Sequence, residues 1–289
     1  MQEANRFEYS PIVARPPLKL PDGNRVAVWV IPNVEHFLFD RPSTSITAVT
    51  TSLVPDVLNY SWRDYGPRVG FWRMLDVMNK HGIRGTAALN SDVCRFYPEL
   101  IKAGNEHGWE WMAHGKNNSQ MITKLSEDEE RDLITHVIDT IHEATGKRPR
   151  GWLSPALTET VNTPDLLAEA GVEYTGNWVN DEQPYPMKVK SGSLVALPYA
   201  IEINDIPAFL DLKQSGEQFA RMIRDTYDVL HEDARDSARV MAISIHPFLI
   251  GHPHRSKPFD QALQYIREKG DAWFATGSEI LDWYRSETA

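Results

Sequence analysis

The chain has 289 residues, 42% hydrophobic and 24% charged, the balance of a soluble globular protein with a sizeable core. Its 30 Lys and Arg against 40 Asp and Glu leave a formal charge of −10, which disfavours nucleic acid or an anionic membrane surface as a partner. A single cysteine, Cys94, excludes an internal disulfide and reads as a small buried hydrophobe.

The first residues, "MQEANRFEYSPIVARPPLKLPDG", show no basic start followed by an apolar stretch, so the expectation is a cytoplasmic protein with residues 1–24 as an N-terminal extension. "RVAVWVI" (25–31) is dense in Val, Ile and Trp and predicts a buried strand. Residues 36–68, rich in Ser and Thr, are long for a connection and are expected to cover a site or join subunits. A helix over 70–82, a strand over 83–89, a helix over 96–108 and a strand over 109–113 follow. "SEDEERDLITHVIDTIHEATG" (126–146) is the clearest helix, with Ser126 and Glu129 as a capping box and Gly146 as its stop. Strands near 151–154, 172–176, 193–199, 239–245 and 273–277 alternate with helices over 163–170, 216–233, 258–269 and from Ser278. Alternation of this kind implies parallel strands covered by helices. The fold expected is one domain over 1–289, a distorted (β/α) barrel of about seven to eight strand–helix units.

Polar residues collect directly after the strand patterns. Asn33, Glu35 and His36 follow the first, Asn90 the second, His114 and Asn118 the third. Ser154 follows the fourth, Asn177, Trp178, Asn180 and Asp181 the fifth, and His246 follows "RVMAISI". In a parallel barrel those ends share one rim, where catalytic groups assemble. Each residue alone also reads as an ordinary capped or solvated loop residue. Trp178 and Tyr185 flank "VNDEQPY" and suit a flat ring, while Arg255 in "HPHR" suits a carboxylate or imide oxygen.

The runs "RVAVWVIPNVE", "DYGPRVGFWRMLDVMNKHGI", "GWEWMAHG", "RPRGWLSP", "NDEQPYP" and "ISIHPFLIGHPHR" resemble the polysaccharide deacetylase (NodB-homology) superfamily, and within it the allantoinase and cyclic-imide hydrolase branch. The likeness spans roughly residues 10–285. It implies a NodB-like barrel that hydrolyses non-peptide C–N bonds.

In metal-dependent members an Asp-x-Asp pair and a His-x-x-x-His pair supply the base and ligands. The matching positions here hold Asn33 with Glu35, and His114 with Asn118. Asn33 has no titratable carboxylate. The arginine that the family pairs with its base is replaced by Leu153. Two readings stay open. In one, Glu35, His114 and Asn118 hold Zn or Mn; in the other no metal takes part, as in allantoinase relatives that lose the second histidine.

Glu35, His114 and His246 are the candidate catalytic residues, with burial expected to raise Glu35 toward working pH and His246 as general acid. Asn33, Ser154, Trp178, Asn180, Asp181, Tyr185 and Arg255 are candidates for substrate binding. The function expected is hydrolysis of a small allantoin-, hydantoin- or imide-like amide. Carbohydrate N-deacetylation and a retired barrel that only binds are the competing readings, and a homo-oligomer is compatible with the sequence.

Overall fold

Strand β1 (Val26–Val34) sets the frame of the computed structural model, which describes residues 5–289. All nine of its residues are buried, the pattern of a parallel strand covered on both faces. Along it, Val26, Val28 and Val30 join the cluster beneath the helices, while Ala27, Trp29 and Ile31 join the cluster inside the curled sheet. The two-residue period of a strand therefore turns Asn33 and Glu35 inward as well.

The chain then forms α1 (Val57–Tyr65), α2 (Phe71–Lys80), β2 (Thr86–Leu89), α3 (Ser91–Phe96), α4 (Pro98–Glu106) and β3 (Glu110–Ala113). Helix α5 (Glu127–Thr145) carries the capping box of Ser126 and Glu129, and Gly146 closes it in the left-handed region. Next come β4 (Gly151–Trp152), α6 (Thr163–Glu169), β5 (Tyr174–Thr175), β6 (Tyr185–Met187), β7 (Leu194–Ala196) and α7 (Gly216–Asp233). The chain finishes with β8 (Arg239–Ile245), α8 (Pro247–Ile250), α9 (Pro253–Lys269), β9 (Ala272–Phe274) and α10 (Gly277–Thr288). Among the described residues no helix is long and apolar enough to cross a membrane.

The sheet runs β6-β7-β5-β4-β3-β2-β1-β8, and β9 pairs with the first three residues of β1. Every pairing is parallel except β6 with β7. The expected α/β architecture is present as a curled, incomplete barrel. The short helices α3 and α8 carried no readable signal, nor did α1 and β6. Helix α1 lies inside the 36–68 segment, and β6 is three residues long with a proline in its middle, tolerable only on an edge.

The seam between β8 and the β6–β7 edge is bridged sparingly. Asn204 and Ser244 form an isolated bridge, and Val240 N–H reaches the Glu182 carbonyl at 2.9 Å. Residues from the N-terminal extension tie across the same region: Arg15 pairs with Asp181 at 2.6 Å, and Ala238 N–H bonds the Leu18 carbonyl. Residues 1–4 of that extension lie outside the described residues. In the 36–68 segment, Asn59 holds the irregular stretch before α1 by accepting from Ile46 N–H and donating to the Thr47 carbonyl.

The barrel interior is closed at its base by Tyr174, whose hydroxyl bonds Glu110 at 2.8 Å and whose ring fills the space beside Gly151. A Cβ on Gly151 would sit 2.1 Å from that ring. Gly151→Ala should therefore destabilise the fold by about 1–3 kcal/mol, the usual cost of overpacking, read as a lower midpoint in denaturant unfolding.

Candidate active site

Glu35 stands one residue beyond β1, His114 directly after β3 and His246 directly after β8, so three segments remote in sequence deliver their side chains to one rim. All three side chains are only 3% exposed. Glu35 Oε1 is the meeting point: His114 Nε2 lies 3.4 Å away, His246 Nε2 lies 3.5 Å away, and the Asn118 amide donates to it. His114 is oriented from behind by the Leu153 carbonyl, 2.5 Å from Nδ1. The other carboxylate oxygen, Oε2, is buried and has no hydrogen-bond partner among the described residues.

His246 is fixed on its far side by Asp205, whose Oδ1 lies 2.6 Å from Nδ1 and whose Oδ2 accepts the His246 backbone N–H at 2.9 Å. The imidazole thus sits between two buried carboxylates. Burial opposes its charge, but Glu35 and Asp205 outweigh that and raise its pKa to about 10. Burial likewise opposes ionisation of Glu35, yet the neighbouring His246 cation and bonds from His114 and His246 hold it down at about 2. The sequence expectation that burial would raise Glu35 toward neutrality is corrected: the cation beside it wins.

Asn118 was a candidate ligand, and its amide points the wrong way for that. Asn90 Oδ1 accepts the His36 backbone N–H at 2.9 Å, so its Nδ2 must donate, to the His114 carbonyl and to Asn118 Oδ1 at 3.0 Å. Asn118 therefore has its oxygen occupied and offers Glu35 an N–H. With its nitrogen turned to Glu35 and its oxygen turned to Asn90, the Asn118 amide aims no lone pair at a cation beside the carboxylate. Glu35, His114 and Asn118, as arranged, do not fit a divalent metal.

The remaining candidates are placed elsewhere. Asn33 is buried below Glu35 with its amide donating to Ser244 Oγ at 2.8 Å and to the Ile31 and Ile245 carbonyls. Ser154 Oγ accepts from Trp152 Nε1 and Asn177 Nδ2. Arg255 stacks over Phe209 at 4.2 Å. Asn180, Asp181 and Tyr185 line a separate cavity of about 1330 Å³ in the seam, where Asp181 pairs with Arg15 and Tyr185 donates to Asn180. Trp178 packs there edge-on against Phe7. That cavity does not hold the ionisable cluster. Sequence reading missed Asp205, which follows no strand, and Arg63, which lies on the unforeseen α1.

Glu35 itself opens onto a small cavity of about 10 Å³, roughly one water molecule in size, walled by Phe37, Tyr60, Arg63, Asp64, Pro67 and Tyr97. Most of that wall belongs to the 36–68 segment.

Comparison with known proteins follows the same lines. The family model for polysaccharide deacetylase matches residues 60–175. A Schizosaccharomyces pombe protein named as a polysaccharide deacetylase is 27% identical over 242 residues, 75% of this chain and 73% of that protein. A solved Pseudomonas aeruginosa protein described as a polysaccharide deacetylase superposes with a TM-score of 0.87 at 25% identity, covering 94% of this chain and 95% of that one. The solved PuuE allantoinase has the same fold, with a TM-score of 0.86 at 22% identity and 94% of each chain covered.

The charge cluster carries a pH signature. Glu35, lowered from 4.5 to about 2, adds stability above pH 4.5 that is lost as pH falls toward 2. His246, raised from 6.5 to about 10, adds stability below pH 6.5 that is lost as pH rises through 10. The pair should contribute in full between those two unfolded-state values. Melting temperatures across pH 3–10 should show that contribution in the wild type; Glu35→Gln should lose the acid-side limb and keep a smaller alkaline one, since Asp205 still raises His246.

Proposed function

We propose that the chain, similar to polysaccharide deacetylases in sequence over residues 60–175 and in fold, is a hydrolase of carbon–nitrogen bonds other than peptide bonds and opens a small cyclic or linear amide of the allantoin, hydantoin or imide kind. One observation carries this reading: a buried carboxylate gripped at one oxygen by two imidazoles and an amide, with its second oxygen left without a protein partner. That free oxygen is an acceptor for the proton of an attacking water.

The roles follow from the geometry. Glu35 Oε2 takes a proton from water as the oxygen bonds to the amide carbon. His246 Nε2–H gives its proton to the departing nitrogen, and the C–N bond breaks to leave a carboxylic acid and an N–H group, which is part of an amide or urea when an imide, hydantoin or allantoin ring opens. As His246 gives up its charge, the cation that held the Glu35 pKa down disappears, so Glu35 keeps the proton it has taken until His246 can accept one again. The proton on Glu35 then returns to His246 across the 3.5 Å contact. His114, held by the Leu153 carbonyl, keeps the carboxylate in register. No step runs through a metal.

Phe37, Tyr60, Pro67 and Tyr97 leave beside Glu35 a space of about 10 Å³, the size of the attacking water. The names of the relatives favour a second reading, removal of an acetyl group from an amino sugar, which uses the same bond chemistry.

Allantoin, hydantoin, succinimide and N-acetylglucosamine oligomers, assayed with and without EDTA, separate the two. Ring opening indifferent to chelation is the expected result; turnover of the oligomers alone sinks the small-amide reading. Glu35→Gln and His246→Ala should each lower kcat at least about 100-fold. Asp205→Asn removes a carboxylate that raises the His246 pKa, so the alkaline limb of kcat/KM should move toward neutral pH.

A further inference from the structure

The 36–68 segment is built inside out. Its hub is Asn59, fully buried: the side-chain oxygen accepts Ile46 and Thr47 N–H, and the amide donates to the Thr47 carbonyl, Thr50 Oγ1 and Asp56 Oδ2. Asp56, also buried, accepts from Thr50 Oγ1 at 2.8 Å and from Asn59 N–H at 3.2 Å. Polar side chains that suit water are thus spent inward. Ile46, Val49, Leu53, Val54, Val57 and Leu58 point outward, with Val49 85% and Val57 62% exposed. All six sit on the stretch that wraps Asn59, so they form one local face.

Side chains of this size at such exposure leave on the order of 500 Å² of apolar area together, a patch size that marks interaction surfaces and a large part of the roughly 800 Å² per partner of a standard interface. The network around Asn59 holds the face in one shape, which lowers the ordering cost of docking.

Charge decides what covers it. Residues 42–62 hold one charged side chain, Asp56, and that one is buried, in a chain where 24% of residues are charged. Without Lys or Arg the face offers nothing to an anionic membrane or to nucleic acid. Two copies of a chain of charge −10 repel over most of their surfaces, and this uncharged face is where they meet without that opposition. A two-fold contact asks a face to complement itself, which branched apolar side chains free of charge do.

We propose that residues 46–58 pair with the same residues of a second copy of this chain. Helix α1 begins inside the contact and carries Tyr60, Arg63 and Asp64 to the wall beside Glu35, so the second copy braces that wall from outside.

Sedimentation velocity of the full chain at about 100 μM, above the micromolar upper end for an interface of standard size, should give twice the mass of one chain. Added salt screens the charge of each copy and should tighten the pairing. Hydrogen exchange over residues 46–60 should slow as protein concentration rises. Val49→Asp combined with Val57→Asp places unpaired carboxylates in the contact from both sides and should weaken it at least about 100-fold, with the far-UV circular dichroism unchanged. Should that double change fail to fold, Val49→Asp alone decides. A larger assembly that the variant splits supports the face as one of its contacts. A wild-type monomer, free or bound to phosphatidylcholine vesicles, overturns the proposal. So does an assembly that keeps its mass in the variant, that loosens with salt, or whose exchange over 46–60 ignores concentration.

Discussion

Two carboxylates with one imidazole between them are the constraint on which the rest of this molecule turns. Asp205, His246 and Glu35 are buried together, and neither acid could stay ionised there without the cation they share. The arrangement needs three things at once: a strand end to present His246, a loop to bring Asp205 behind it, and β1 to bring Glu35 in front. The barrel supplies the first and third, and the bridged seam near Asn204 and Ser244 supplies the second. Electrostatics and topology here are the same requirement seen from two sides.

Much of this was legible in the sequence because it is written in periods and caps. The dense apolar run of β1, the capping box of α5 and the strand of β8 each follow from short-range chemistry, and each stands where that chemistry puts it. The rim positions of Glu35, His114 and His246 followed from strand ends alone. What was not legible depends on distance in the chain. Asp205 lies in "EINDIP", with no strand before it to announce a rim, and it matters only because His246, 41 residues on, folds against it. Arg63 was hidden in a segment read as loop. Asn180, Asp181 and Tyr185 looked like rim residues from their local pattern, but the antiparallel β6–β7 edge carries them into the seam instead.

The direction of a side-chain amide is also beyond a sequence. Asn118 as a letter is both donor and acceptor, and only its neighbours choose. The His36 N–H and the His114 carbonyl are backbone groups of fixed polarity, and they dictate Asn90, which dictates Asn118. The residue that reads as a weakened ligand is thereby a donor to the carboxylate. His114 stands where the resemblance places the first histidine of a pair, and it lies 3.4 Å from Glu35 with the Leu153 carbonyl behind it.

Asn90 also ties the rim together. One amide spans the ends of β1, β2 and β3, fastening His36, His114 and Asn118 at once. The rim is therefore set jointly rather than loop by loop, and no one of those three chain segments can drift without dragging the other two out of alignment. Variation among such proteins at this spot should come in concerted sets of replacements, since a lone exchange would leave its neighbours aimed at nothing.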